Sequence, residues 1–144
     1  MALSFDHILV PYDGTKIGEK AFKGALQLAK KFESMITVLS CMEKESTWGF
    51  FDTKSDKKKL KRRNKVMQEK ISTMKESADK FGIRFNSKIT DCNVASKCIV
   101  SYLNSHDVDL IVMGKSSKVS PEKIYHDSTV NFVYNHVNIP MLNI

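Results

Sequence analysis

The sequence predicts an α/β domain, one open parallel sheet of five strands covered by helices on both faces. Three observations lead there. Apolar runs at 7–12, 35–42 and 110–113 are nearly continuous rather than alternating, as in strands buried on both faces. Between them lie longer segments whose apolar residues recur at helical spacing. Strand and helix alternate along the chain in the order βαβαβαβαβ, with no internal repeat or linker, which is the pattern of right-handed crossovers in a parallel sheet. Residues 1–144 are therefore read as one domain, long enough to bury roughly two-thirds of the surface its unfolded chain exposes.

The first strand is His7-Ile8-Leu9-Val10-Pro11-Tyr12, closed by the turn Asp13-Gly14. A helix follows from about Ile17 to Glu33, with Ile17, Ala21, Ala25, Leu28, Ala29 and Phe32 on one face. Gly18 and Gly24 weaken it by up to about 1 kcal/mol each relative to alanine, but permit close packing on a sheet. Met35 to Met42 forms the second strand. From Glu43 to Ser55 the pattern dissolves into a loop holding Trp48, Phe50 and Phe51, which either folds over the sheet edge or serves as a ligand lid or dimer contact. Leu60, Met67, Ile71, Met74, Ala78 and Phe81 then mark one stripe of a long helix ending at Gly82. Ile83 to Thr90 alternates apolar and polar, as an edge strand does. Val94 to His106 reads as a helix with Val94, Cys98, Ile99, Tyr102 and Leu103 inward and Asn93 as its cap.

The last third organises the rest. The buried run Leu110-Ile111-Val112-Met113 stops at Gly114 and delivers a polar loop. That loop closes at the capping types Asp127-Ser128-Thr129, where a helix with Val130, Val133, Tyr134 and Val137 on one side is expected to begin. Strand, loop and helix start in this order lie at the carboxyl ends of parallel strands, where anions meet free N–H groups. Gly114-Lys115-Ser116 is not the end of a phosphate-binding P-loop, because Asp109 stands where the first glycine belongs and a strand replaces the flexible turn.

The same stretch resembles the universal stress protein family. Its nucleotide-binding members carry a strand ending in M-G, the pattern G-x2-G-x9-G-[ST], a helix and a short final strand. Gly114 matches the first glycine and Ser128 the hydroxyl, while Ser117 and Asp127 replace the other two glycines. The spacing is unchanged, and Ile139-Pro140-Met141-Leu142-Asn143-Ile144 resembles the terminal strand, with Asn143 departing from its apolar pattern. At the other end, Val10-Pro11-Tyr12-Asp13-Gly14-Thr15 resembles the family's first strand and V-P-x-D-G-S turn.

The resemblance implies strand order 3-2-1-4-5 and a cleft between the ends of the first and fourth strands. It also implies an adenine nucleotide there, ATP or AMP, and a role in stress response. In that cleft Pro11, Tyr12, Asp13, Gly14 and Thr15 would line the nucleoside, with Asp13 on ribose or base and the backbone of Cys41 facing adenine. Met113, Gly114, Lys115, Ser116 and Ser117 with Asp127, Ser128 and Thr129 would surround the phosphates. A homodimer pairing through the C-terminal strand is implied as well. Asp127 places a carboxylate among phosphate oxygens, and like charges about 4 Å apart repel by roughly 1 to 4 kcal/mol, up to about three orders of magnitude in affinity. Triphosphate binding then needs Lys115, Lys118 or a divalent cation such as Mg2+ to offset that charge.

Composition bounds the alternatives. With 42% hydrophobic and 27% charged residues the chain suits a globular protein. It has no run long enough to span a membrane and no basic-then-apolar leader at Met1 to Asp6, so a cytoplasmic protein is expected. Net charge is +7, and the run from Lys57 to Lys65 puts much of it near a helix start, where it opposes the helix dipole. That run is either a solvated face or a contact for nucleic acid or another acidic partner. A second reading of the protein is therefore a dimeric interaction protein without nucleotide, acting through this helix and the Trp48–Phe51 loop. A third is a slow ATPase, although no nucleophile stands at useful spacing from a base. Cys41, Cys92 and Cys98 match no metal or redox spacing, nor do His7 and His136, so no structural metal is expected.

Overall fold

The computed structural model describes residues 4–43, 54–114 and 124–144, with the backbone alone for 54–56 and 124–128. The elements are β1 (His7–Pro11), α1 (Lys16–Phe32), β2 (Met35–Glu43), α2 (Lys54–Lys80), β3 (Phe85–Cys92), α3 (Ala95–Ser105), β4 (Leu110–Met113), α4 (Ile124–His136) and β5 (Met141–Asn143). All pairings are parallel, in the order β3-β2-β1-β4-β5.

Side-chain alternation along the strands divides the core into two layers. Ile8 and Val10 of β1, Ile36 and Val38 of β2, and Leu110 and Val112 of β4 face α1 and α2. Leu9, Leu39, Ile111 and Met113 face α3 and α4. Because both faces are covered, β1 reads as an unbroken apolar run, and burying each such aliphatic side chain contributes about 1.5 to 3 kcal/mol.

Helix ends follow local chemistry. Thr15 caps α1 by accepting from the Gly18 N–H at 3.2 Å, and α1 stops at Glu33, which takes the left-handed conformation with φ 57°. Gly82, at φ 67°, ends α2: its N–H donates to the Asp79 carbonyl at 3.1 Å and the Ile83 N–H donates to that of Ala78 at 3.0 Å.

Several expectations need correction. On α1 the buried stripe runs through Phe22 and Leu26, while Phe32 is 47% exposed and meets Phe5 edge-on. Leu60 and Phe81 are half exposed, so the buried stripe of α2 shortens to Met67, Ile71, Met74 and Ala78. Val94 is exposed, and Asn93 does not cap α3; the Ala95 N–H donates instead to Glu43 Oε1, 2.8 Å away at the end of β2. α4 starts at Ile124, three residues before the predicted cap, so Asp127, Ser128 and Thr129 lie within its first turns. Tyr134 is 66% exposed; Val133 alone fills that level of the core. The final strand is shorter than expected, beginning at Met141 after Pro140, whose carbonyl accepts from the Ile111 N–H at 3.1 Å. The Trp48–Phe51 loop lies outside the described residues.

Candidate functional site

β1 occupies the middle of the sheet, with β2 on one side and β4 on the other. The chain leaves β1 towards β2 and returns across it to β4, so the topology reverses between β1 and β4. A crevice at the carboxyl ends of strands forms at such a point.

Pro11 closes β1, and the next N–H, that of Tyr12, donates to the Leu39 carbonyl of β2 at 2.9 Å. The Tyr12 ring is buried against α1, where a Cβ on Gly18 would come within 2.7 Å of it. Its hydroxyl donates to Glu19 Oε1 at 3.1 Å. Burial first, then that hydrogen bond and the charges of Glu19 and Asp13, hold the phenol well above its ordinary range.

Asp13 is exposed at the rim. Its Oδ1 accepts from the Thr15 N–H at 3.1 Å and from Thr15 Oγ1 at 2.6 Å, and Thr15 Oγ1 in turn accepts from Gly18. The carboxylate is thereby tied to the α1 N-terminus through one oxygen, and neither bond uses Oδ2. Gly14 makes the turn with φ 87°, and its carbonyl accepts from Lys70 Nζ at 2.7 Å, which locks α2 to the turn.

Across the switch point, Met113 is buried at the end of β4. Gly114 follows in close approach to α1: a Cβ there would lie 2.7 Å from the Ile17 carbonyl oxygen and 2.4 Å from its Cγ2. The β1 turn and the β4 exit are thus joined through the first turn of α1. This arrangement offers fixed backbone groups, one oriented carboxylate and a helix N-terminus, a set that suits a sugar hydroxyl and an anion.

The structure therefore brings together Pro11, Tyr12, Asp13, Gly14 and Thr15 with Met113 and Gly114. Cys41 stands near the end of β2, partly buried beside the Leu39 layer. Thr129 is half-buried inside α4 and is not its cap. Asp127 and Ser128 are placed by backbone alone, and Lys115, Ser116, Ser117 and Lys118 lie outside the described residues. Lys70, 55 residues beyond Thr15, was invisible to motif spacing; only the packing of α2 on α1 reveals it. His7 is a bridging residue: its Nδ1 donates to the Asp107 carbonyl at 2.7 Å, and its Nε2 meets Thr37 Oγ1 at 2.7 Å.

Spacing also missed a cluster. Cys41 of β2, Cys92 of β3 and Cys98 of α3 bring their Sγ atoms within 4.8 Å of one another. Burial pushes the Cys41 thiol up to about 12 and the Cys92 thiol up to about 11.

The sheet order defines a doubly wound, Rossmann-like α/β protein. The universal stress protein family profile matches residues 4–144, and the chain belongs to that family. A universal stress protein of Methanocaldococcus jannaschii, MJ0531, is 24% identical over 138 residues, covering 96% of this chain and 81% of that protein. A family member from Burkholderia pseudomallei superposes with a TM-score of 0.77 at 16% identity, covering 97% of this chain and 96% of its own. A universal stress protein in complex with cAMP gives 0.73 at 14% identity, with 98% and 97% covered. A family protein from Arabidopsis thaliana with AMP bound gives 0.70 at 12% identity, with 96% and 90% covered. Among the described residues no helix is long and apolar enough to cross a membrane.

Proposed function

We propose that this protein is a regulatory module of the stress response that takes an adenine nucleotide in the crevice at the ends of β1 and β4. AMP is preferred over ATP. The observation that carries this reading is the Asp13-Thr15-Gly18 hydrogen-bond chain at the switch point, which holds an exposed carboxylate where a ribose hydroxyl can reach it. Relatives of the same fold that hold AMP and cAMP support the ligand class. Gly114 draws the β4 exit against α1, beside the Asp13 turn. Asp127 disfavours added phosphate charge unless Mg2+ or the lysines Lys115 and Lys118 compensate. Binding is the function, with no catalytic group assigned.

Calorimetric titration with AMP, ATP and adenosine tests this. AMP should bind saturably, Asp13→Ala should weaken it about tenfold or more, and Asp127→Gly should improve ATP selectively. Equal, unsaturable heats for all three ligands at millimolar concentration would refute it.

A homodimer through β5 belongs to the same reading. β5 is a three-residue edge strand whose outer side has no partner among the described residues, and Leu142 is 39% exposed on it. The second reading, an interaction protein without nucleotide, draws support from α2, where Lys57, Lys58, Lys59, Lys61, Arg62 and Lys65 are all exposed. If nucleotide is absent, neutralising these lysines should abolish capture of an acidic partner such as heparin or nucleic acid.

A further inference from the structure

The three cysteines come from separate elements, and the parallel sheet explains why they meet. Cys41 pairs with Thr90 and Glu43 with Cys92 in the β2–β3 register, so Cys92 sits diagonally across from Cys41 on the same face. α3 begins immediately after β3, packs on that face, and brings Cys98 in its first turn over both. The three Sγ atoms lie within 4.8 Å of one another. An ion about 2.3 Å from three sulfurs needs them about 3.8 to 4.0 Å apart, so closing the set takes about 1 Å at most, within reach of small χ1 rotations.

We infer that Cys41, Cys92 and Cys98 form a three-thiolate site for a thiophilic metal ion of low coordination number, copper(I). Three features select the ion. All the ligands are soft sulfurs, which copper(I) prefers over harder divalent ions. Among the described residues no His, Asp or Glu ligand atom joins the cluster. Zinc would therefore lack the fourth protein ligand of a structural site. The site is apolar on its inner side, where Cys41 packs beside Leu39 and Ile99.

Access and charge fit as well. Cys98 lines a groove of about 450 Å3 between β3 and α3, together with Thr90, Asn93, Lys88 and Lys97. The groove is an entry path, and its two lysines offset the net charge of −2 that three thiolates and one copper(I) carry. The site is separate from the proposed nucleotide crevice, where Cys41 contributes backbone alone.

The test is anaerobic titration of the reduced, untagged chain with copper(I) against the chelator bicinchoninate, followed by X-ray absorption of the product. One equivalent should be retained per chain, with three sulfur scatterers at about 2.3 Å. Cys98→Ser, at the member that lines the groove, should weaken retention at least about 100-fold while far-UV circular dichroism and AMP binding stay unchanged. Cys92→Ser provides the same test from β3. Loss of copper to the chelator at one equivalent, fewer than three sulfur scatterers, or undiminished retention in Cys98→Ser would overturn the assignment. Preferential uptake of zinc with an oxygen ligand would overturn it too.

Discussion

Gly114 shows how one residue holds two meanings. Its place in the sequence resembles the first glycine of a phosphate loop, and its place in the fold is a contact with α1 that leaves no room for a Cβ. Gly114→Ala should lower stability by about 1 to 3 kcal/mol, read as a reduced urea midpoint, because the Ile17 backbone must move away. Ser40 carries the opposite expectation. Its hydroxyl is fully buried in β2 and makes no hydrogen bond among the described residues, so Ser40→Ala should raise stability by about 1 kcal/mol in the same assay. At this scale the sequence was legible where a residue acts through its neighbours, as Gly82 does in ending α2. It was silent where residues act across the fold: Cys41 and Cys92 are far apart in the chain, and only the β2–β3 register brings them together.

At the scale of elements, the strands and the helix ends were legible for different reasons. β4 was read over the residues it occupies, because an apolar run closed by Gly114 leaves little latitude. α4 was not, because Asp127, Ser128 and Thr129 are good caps in isolation yet the helix already runs from Ile124. α3 failed similarly: its first N–H finds the Glu43 carboxylate on β2 rather than Asn93 beside it. A tertiary acceptor thus replaces a local one. Glu43→Ala should cost about 1 kcal/mol and speed amide hydrogen exchange at Ala95 and in the first turn of α3, while exchange in α1 stays unchanged. α2 is tied to the end of β2 through Arg63, 3.2 Å from the Glu43 carbonyl, and to the turn after β1 through Lys70 and the Gly14 carbonyl. The basic run therefore lies on a helix fixed against the sheet, with its lysines turned to solvent.

For the molecule as a whole, the strand order expected from the family resemblance is the one observed, and it places the crevice. The same packing makes stability fall at alkaline pH. The Tyr12 phenol, held neutral by burial and by the Glu19 and Asp13 charges, keeps its proton where an unfolded tyrosine, at 10.0, loses it. The unfolded state then binds fewer protons, so stability declines as pH rises above about 10, by up to about 1.4 kcal/mol per pH unit. The Cys41 thiol adds to the decline from about pH 9 upward. Tyr12→Phe should flatten the tyrosine part of the decline in urea midpoints measured between pH 9 and 11. The most direct test of nucleotide binding in the crevice is the amide spectrum of 15N-labelled protein titrated with AMP. Saturable shifts centred on Asp13, Gly14, Thr15, Cys41 and Gly114 are expected. Shifts confined to the α2 basic face, or none at millimolar AMP, would contradict a nucleotide in this crevice.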